Sequence, residues 1–538
     1  MNGAEQFDPI KIVLTIMNHR VFTLNAINPL SGKRLDLRHP GLLVPLLALV
    51  VYLLLPTKQY YWDGVGFSLS IEAPHCSAAA LLHPNHLIYN LIGYALWRGV
   101  SATGISVRAL FVLQAVNGLF AAATIFLFWR ILKQLTRSPW RSTVGALVLA
   151  FSATWWRFST DANAYIPSIF FLIVCLQILM MPQPRPIAAG LFNGVAMLFH
   201  QLAIFFVPVA MVAFLCVTGD RGCVGGKRAR FLEAAQYIIA AFSITAMAYG
   251  LGFAAVGHSG LNLTFWNWIT TRAIDAKFAF NLPRSALLTL RGTVRLLMGG
   301  RFTSAKLNVI SFGATTALLL VIVVVCYFAR ARSANGSQGY PCKNGFRSWI
   351  SANRLALTWS LSYSCFLAFW LPQNTFYRLF YLPALIQLIM TVPGSGNKNR
   401  RFVEFACAVM VGCNFLFCIY PLSRVENNDV LAFALIHHGE WNERSAIAYS
   451  DFHTDLWTIS YFNPQAKWAA ISSPTIGQVE RRLLECKQQR TSFWLEATTY
   501  DAIAGLPGGT NWLDKHVDRA RSLNYITLKH RIRFYRLD

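Results

Sequence analysis

Asp63 stands just beyond the first apolar run, residues 41–55, with Tyr60, Tyr61 and Trp62 before it and Gly64 and Gly66 after it. A carboxylate where the chain leaves a bilayer suits general-base work on a hydroxyl. Its structural alternative is a helix cap beside an interfacial aromatic belt. Glu72, His75, His83, His86, Arg157, Asp161, His200 and Arg378 fall in connections that the order of spans places on the same outer face. Charge near hydrocarbon is expensive, so such residues are usually paired or functional. A cation at that depth suits the phosphate of a lipid. Each residue alone has a plainer reading. Arg157 and Asp161 are four apart and can pair with each other, His83 and His86 can start a helix, and Arg378 can snorkel. Their common side points to a shared cleft.

The elements that must position these groups are membrane helices. The 538-residue chain is 55% hydrophobic and 13% charged, with a mean hydropathy of +0.42. Soluble domains carry about 25% charged residues, so this composition describes a multispan membrane protein. The net charge of +25 reflects Lys- and Arg-rich inner loops. No basic-aromatic module of the nucleic-acid-binding kind stands out, so nucleic acid is not an expected partner. The eleven cysteines are scattered and form no C-x-x-C pair, which excludes zinc-ribbon and dithiol chemistry. The apolar run begins too late for an ordinary signal peptide and reads as a retained anchor.

Residues 1–40 are expected in the cytoplasm, with a short amphipathic helix at 10–22. The first span covers 41–56, and residues 57–106 form a long first external loop. Within it, 86–100 reads as an interfacial helix because Asn90 and Arg98 interrupt it. The second span covers 107–129. Arg130, Lys133, Arg137 and Arg141 then mark an inner loop without acids. Spans follow at 143–156 and 166–181. Residues 186–217 are too long for one span of ~20 residues and read as two short helices turning near His200-Gln201. A span at 234–256 leads to an external basic segment at 258–307, which carries Arg284, Arg291, Arg295 and Arg301 among leucines and suits a surface helix. Spans at 309–328, 355–370, 377–392 and 402–420 complete about eleven, with the amino end inside and the tail outside.

The expected architecture is therefore mainly α: a helical membrane bundle over 41–422 and a small extracytoplasmic α/β domain over 423–538. The tail alternates short strands at 446–449, 467–471 and 492–495 with helices at 454–461 and 475–489, and closes with a hairpin at 525–537. It has no glycine-rich phosphate loop.

Several stretches resemble the GT-C superfamily of membrane glycosyltransferases, most nearly the bacterial and animal relatives of protein O-mannosyltransferases. They are Trp62-Asp63-Gly64, then His83-Pro84-Asn85-His86-Leu87-Ile88-Tyr89, then Arg108 and Val116-Asn117-Gly118-Leu119. Residues 158–165, Phe-Ser-Thr-Asp-Ala-Asn-Ala-Tyr, resemble the family's aromatic–acid–Tyr turn. His200 lies in a similar short hairpin, and residues 450–457 resemble the start of the family's external domain. The pattern departs in two places: Asn85-His86 stands where Pro-Gly is usual, and Asp161-Ala-Asn163-Ala-Tyr165 replaces a tighter Glu-Val-Tyr.

The resemblance implies inverting transfer of a sugar from a polyprenyl-phosphate donor in the bilayer to a hydroxyl on a protein or glycan acceptor. It implies Asp63 as catalytic base. Asp161 and His200, with His83 and His86, would line the site, and Arg378, with Arg291 or Arg295, would hold the carrier phosphate. Some relatives use a divalent cation, for which Asp63 and Glu72 are the candidate ligands here, without tight ligand spacing. Two alternatives come from other classes. One is a transporter or flippase of lipid-linked sugars, which the nearly charge-free central spans disfavour. The other is a non-enzymatic membrane scaffold. A bacterial inner membrane is the expected location.

Overall fold

The computed structural model describes residues 40–74, 76–216, 226–257, 264–270, 278, 281–298, 345–372, 374–392, 397–450, 453–527 and 531–538. The expected helix at 10–22, His75, the span at 309–328 and most of the inner loop at 330–354 lie outside the described residues. The chain forms two compact units. One holds the first helix through residue 57 together with residues 70–421, and the other joins residues 58–69 to 422–538.

The first unit is helical. Its elements include α1 (Pro40–Leu54), α3 (Tyr89–Ala102), α4 (Ala109–Thr136), α5 (Pro139–Phe151), α6 (Ala153–Ser159), α7 (Tyr165–Leu179), α8 (Pro186–Phe199), α9 (Val207–Leu215), α10 (Lys227–Gly257), α11 (Leu282–Leu297), α12 (Arg354–Phe369), α13 (Leu382–Met390) and α14 (Asn397–Asn414). The helix α2 (Trp62–Ile71) begins in the second unit and ends in the first.

Among the described residues, three helical stretches are long and apolar enough to cross a membrane: Ala109–Thr136, Lys227–Gly257 and Val403–Leu422. These three do not confirm the expected count of about eleven, one span of which, 309–328, lies outside the described residues. The runs at 186–217 and 377–392 each contain a 3₁₀ turn (Gln201–Phe206, Phe376–Tyr381) before a proline-started helix, which leaves pieces of 9 to 14 residues. Conversely, the expected inner loop after residue 129 is still helix for seven residues. Lys133 there covers the Trp129 ring at 5.0 Å and Arg130 the Phe126 ring at 5.9 Å. Lys227, Arg228 and Arg230 are likewise helical rather than loop.

Close packing of α8 on α10 depends on Gly190 and Gly194, a G-x-x-x-G pair. A Cβ on Gly190 would press on the Tyr237 carbonyl oxygen and lie 2.9 Å from Ala240 Cβ. One on Gly194 would lie 2.9 Å from the Ala241 carbonyl oxygen and press on Ile244. Small residues let two backbones approach where no hydrophobic driving force separates helix from lipid. Gly190→Ala and Gly194→Ala are each expected to destabilise the detergent-solubilised protein by about 1–3 kcal/mol, since overpacking forces backbone shifts. Thermal unfolding checks this. Gly250, whose Cβ would meet nothing within 4 Å, is the neutral comparison.

The second unit is a mixed sheet with helices. It contains α15 (Asp429–Ile436), β1 (Ser445–Tyr449), α16 (Thr454–Phe462), β2 (Lys467–Ala470), α17 (Ile476–Gln488), β3 (Ser492–Glu496), α18 (Ala497–Ala504), α19 (Gly509–His516), β4 (Val517–Ile526) and β5 (Arg531–Leu537). The strand order is β2-β1-β3-β5-β4. β1 pairs parallel with β2 and β3, so α16 and α17 are the crossovers that parallel pairing requires. β5 runs antiparallel to β3 and β4. Thr475 and Gln478 close a reciprocal capping box at the start of α17.

Alternation along the strands buries one set of side chains on each face. Phe433, Trp441, Ile447, Trp494 and Phe534 form one core; Val479, Leu483, Phe493, Leu495 and Leu537 form the other. Helices α15, α18 and α19 are additions to the expected tail, and the hairpin begins at Val517 rather than near 525.

Residues 58–69 join this unit through aromatic contacts with α16. Tyr60 stacks on Phe462 with centroids 5.9 Å apart, and Trp62 meets Trp457 edge-on at 5.9 Å. A Cβ on Gly66 would touch Trp457 at 3.0 Å. The contacts run in opposite chain directions, so the start of α2 lies antiparallel to α16.

Candidate functional site

In the first unit, His83, His86 and His200 come together from two connections. Pro84 opens a 3₁₀ turn, Pro84–His86, capped by His83, whose Nδ1 accepts from Asn85 N at 3.3 Å. The His83 and His86 rings stack with centroids 5.6 Å apart, and His86 lies 4.9 Å from His200. His86 Nδ1 faces the Phe199 carbonyl oxygen at 3.4 Å; a carbonyl only accepts, so this nitrogen carries the proton. His200 Nδ1 accepts from Leu202 N at 3.1 Å, so a neutral His200 carries its proton on Nε2. Gln201 Nε2 donates to the Pro84 carbonyl at 3.1 Å and ties the two connections together.

Tyr165 completes the group. Its ring lies 4.9 Å from His200 and 6.1 Å from His86, and Phe376 and Tyr377 of the later 3₁₀ turn flank it at 5.4 and 5.8 Å. The turn before Tyr165 is held by amides of an apolar helix. Asn117 Nδ2 donates to the carbonyls of Asp161 and Asn163, each at 2.8 Å, and Gln114 Nε2 donates to those of Thr160 at 2.7 Å and Thr57 at 3.1 Å. Asn163 Oδ1 accepts from Tyr165 N at 3.1 Å and starts α7. Asp161 is fully buried, and its Oδ1 accepts from Ala162 N at 2.9 Å. Gln114 and Asn117 were readable as polar residues in an otherwise apolar span; their role in holding the 158–165 turn was not.

Burial, and then the neighbouring His200 and His83, hold His86 well below the usual imidazole range. Burial, and then His83, push His200 down to about 3. Both are neutral near pH 7. The unfolded chain binds these protons below about pH 6.5 and the folded one does not, so stability is full above that pH and falls as the pH drops. For His200 alone the loss at pH 5 is roughly 2 kcal/mol. A lower melting temperature at pH 5 than at pH 7.5 is expected in detergent, with the difference reduced in His200→Gln.

Arg378 is fully buried in the 3₁₀ turn Phe376–Tyr381. Its Nη1 donates to Tyr381 Oη at 2.8 Å, and its Nη2 to the Pro372 carbonyl at 2.7 Å and Thr289 Oγ1 at 3.2 Å. None of these partners carries charge, and Nε, also buried, makes no hydrogen bond among the described residues. Gly292 of α11 lies directly against the guanidinium: a Cβ there would press on Nε and sit 3.0 Å from Cδ and 3.2 Å from Cζ. On the same helix, Arg291 is exposed and Arg295 half-buried. The residues of α11 that meet Arg378 are Thr289 and Gly292, which the sequence did not single out.

Glu72 has a structural position. Its Oε2 pairs with Arg108 Nε at 2.7 Å, and its Oε1 accepts from Ala109 N at 2.5 Å, at the start of α4. Asp63 lies half-buried in the first turn of α2, in the part that belongs to the second unit. The remaining candidates belong to the first unit. Among the described residues no group of three or more His, Cys, Asp or Glu side chains is gathered so as to hold a metal ion. In the second unit His453 Nε2 lies 3.5 Å from Glu496 Oε1; Glu496 also caps α18 through Thr498 N at 2.7 Å.

No family model matches the chain, and no curated protein matches it. Among solved structures it is similar to ArnT from Cupriavidus metallidurans bound to undecaprenyl phosphate, with 12% identity and a TM-score of 0.44 over 92% of this chain and 97% of that one. It is also similar to the oligosaccharyltransferase AglB from Archaeoglobus fulgidus in complex with an inhibitory peptide and a dolichol-phosphate. That match has 11% identity and a TM-score of 0.42 over 89% of this chain and 72% of that one.

Proposed function

We propose that this chain is an integral membrane glycosyltransferase that moves a sugar from a polyprenyl-phosphate donor to a hydroxyl acceptor at the outer face of a bacterial inner membrane. The observation that carries this reading is the meeting of His83, His86 and His200 around Tyr165, at the end of the turn that holds buried Asp161. These residues were selected in the sequence for their chemistry and come from stretches far apart in the chain. A body of apolar helices with a polar group of this kind suits a reaction at a membrane face.

In this reading Asp63 accepts the proton of the acceptor hydroxyl. The acceptor oxygen forms its bond to the anomeric carbon from the face opposite the phosphate, the carbon–phosphate-oxygen bond breaks, and polyprenyl phosphate leaves with the electron pair. Inversion follows from single displacement. In the first unit, His200, neutral with its proton on Nε2, offers a donor to a hydroxyl, and Asp161, His83 and His86 are the polar groups near it. Arg378, with Arg291 or Arg295, holds the carrier phosphate.

The test is transfer of radiolabelled sugar in membranes expressing the chain, with sugars supplied on polyprenyl phosphate or as nucleotide sugars in carrier-free vesicles. Product from a polyprenyl-linked donor and none from nucleotide sugars supports the reading. Absence of product across polyprenyl-linked donors, in membranes shown to contain folded protein, removes it.

A further inference from the structure

The second unit carries a basic cleft at the end of the sheet where β1 and β3 begin. Its volume is about 560 Å³, and Arg444, Lys487, Arg490 and Arg536 line it, with Thr491 and Ser492 beside them. Two acids also reach it, Glu440 and Asp538, of which Asp538 sits 3.5 Å from Arg536 Nε. Among the described residues, Arg444, Lys487 and Arg490 have no carboxylate partner. Elsewhere on the same unit three arginines are paired: Arg482 with Glu485, Arg519 with Asp514 and Arg533 with Asp501. Three cations without a carboxylate partner among the described residues, Arg444, Lys487 and Arg490, thus share one concavity.

The backbone supports the same conclusion. Arg490 holds a left-handed conformation, φ 53°, just after α17. Glycine or asparagine fits that position without strain. A large cation there is the less favourable choice for the turn, and it adds charge to the cleft. Ser492 N donates to the Arg444 carbonyl at 2.8 Å, which joins the two cation-bearing segments at the end of the sheet, and Thr491 N donates to that of Cys486 at 2.8 Å, which fixes the turn to α17. Lys487 and Arg490 also face the carbonyl end of α17, which accounts for one favourable contact each. Arg444, on a different loop, has no such role.

We infer that this cleft binds a phosphate monoester. Such a group is close to a dianion at neutral pH, with three acceptor oxygens that take donors from several directions. Arginine forks from two loops, an ammonium and two hydroxyls match that demand better than the single planar fork a carboxylate fills. The source is either a soluble sugar phosphate or a lipid headgroup, and the site is independent of the transfer reaction proposed above.

The test uses the full chain in detergent, with calorimetric titration of inorganic phosphate and of glucose 6-phosphate, and flotation with vesicles containing phosphatidic acid. Arg444→Gln and Arg490→Gln are each expected to weaken binding at least tenfold, and added salt to weaken it further. Arg482→Gln, which alters a paired arginine on the outer side of α17, is expected to leave it unchanged. Retention of the wild-type melting transition shows that the variants fold. Sugar phosphate binding without vesicle binding assigns a soluble ligand, and the reverse assigns a headgroup. Absence of binding by all three probes at millimolar concentration, or equal affinity in wild type and both cleft variants, overturns the inference.

Discussion

Asp63→Asn is expected to lower the initial rate of sugar transfer by roughly 10²–10⁴-fold, the usual contribution of a positioned general base. Asparagine keeps the shape and the hydrogen-bonding reach of the side chain but cannot accept the acceptor proton. The start of α2 is anchored by ring contacts at Tyr60, Trp62 and Gly66, none of which involves the carboxylate. The isosteric change keeps these ring contacts, and the melting transition, measured in parallel, separates loss of the base from loss of packing. Loss should fall equally on kcat and kcat/KM, with KM for the donor unchanged, because the proton transfer occurs only in the transition state. A rate equal to wild type would make Asp63 a first-turn acid that merely favours the helix start. A loss accompanied by unfolding would assign it to packing.

The second large effect is expected at Arg378 and at the glycine beside it. Arg378→Ala removes a buried guanidinium and leaves the Pro372 carbonyl and the Tyr381 and Thr289 hydroxyls without their donor, at about 1–3 kcal/mol for each group left unsatisfied. Arg378→Lys keeps charge but loses the fork, so it is not a conservative change here. Gly292→Ala alters no polar group, yet its Cβ would press on the guanidinium. It is expected to cost about 1–3 kcal/mol as overpacking and to raise KM for a polyprenyl-phosphate donor if Arg378 is displaced. Calorimetric or fluorescence melting separates the two consequences from kinetics. A Gly292→Ala protein with wild-type melting and wild-type KM would show that Arg378 tolerates displacement and has no part in holding the donor.

Asp63 was found by residue type and position after an apolar run, and the structure adds which unit carries it. Arg378 was found the same way, but Gly292 and Thr289 lie far from it in sequence on an amphipathic helix whose arginines drew attention instead. A glycine chosen because a guanidinium needs its space leaves no pattern in one sequence. Gly190 and Gly194 did leave one, a four-residue spacing, but its meaning appears only when the facing backbone of α10 is known.

What the sequence determined by itself were the properties set by local chemistry: a helix-rich membrane body, a break at His200-Gln201, and the alternation of strands and helices in the tail, including the cap at Thr475. These follow from hydrophobic period, proline position and capping, which act within a few residues. Helix ends escaped it because Lys133 and Arg130 can extend an apolar helix by lying over its own aromatic rings. Tertiary structure alone decided that His83, His86 and His200 share one cluster of ring contacts, that Glu72 is used at the start of α4, and that residues 58–69 join the C-terminal unit. It also decided that three unpaired cations meet at one sheet edge. Each of these depends on contacts between residues distant in the chain. Such contacts are fixed by the packing of whole elements, and no window of sequence contains both partners.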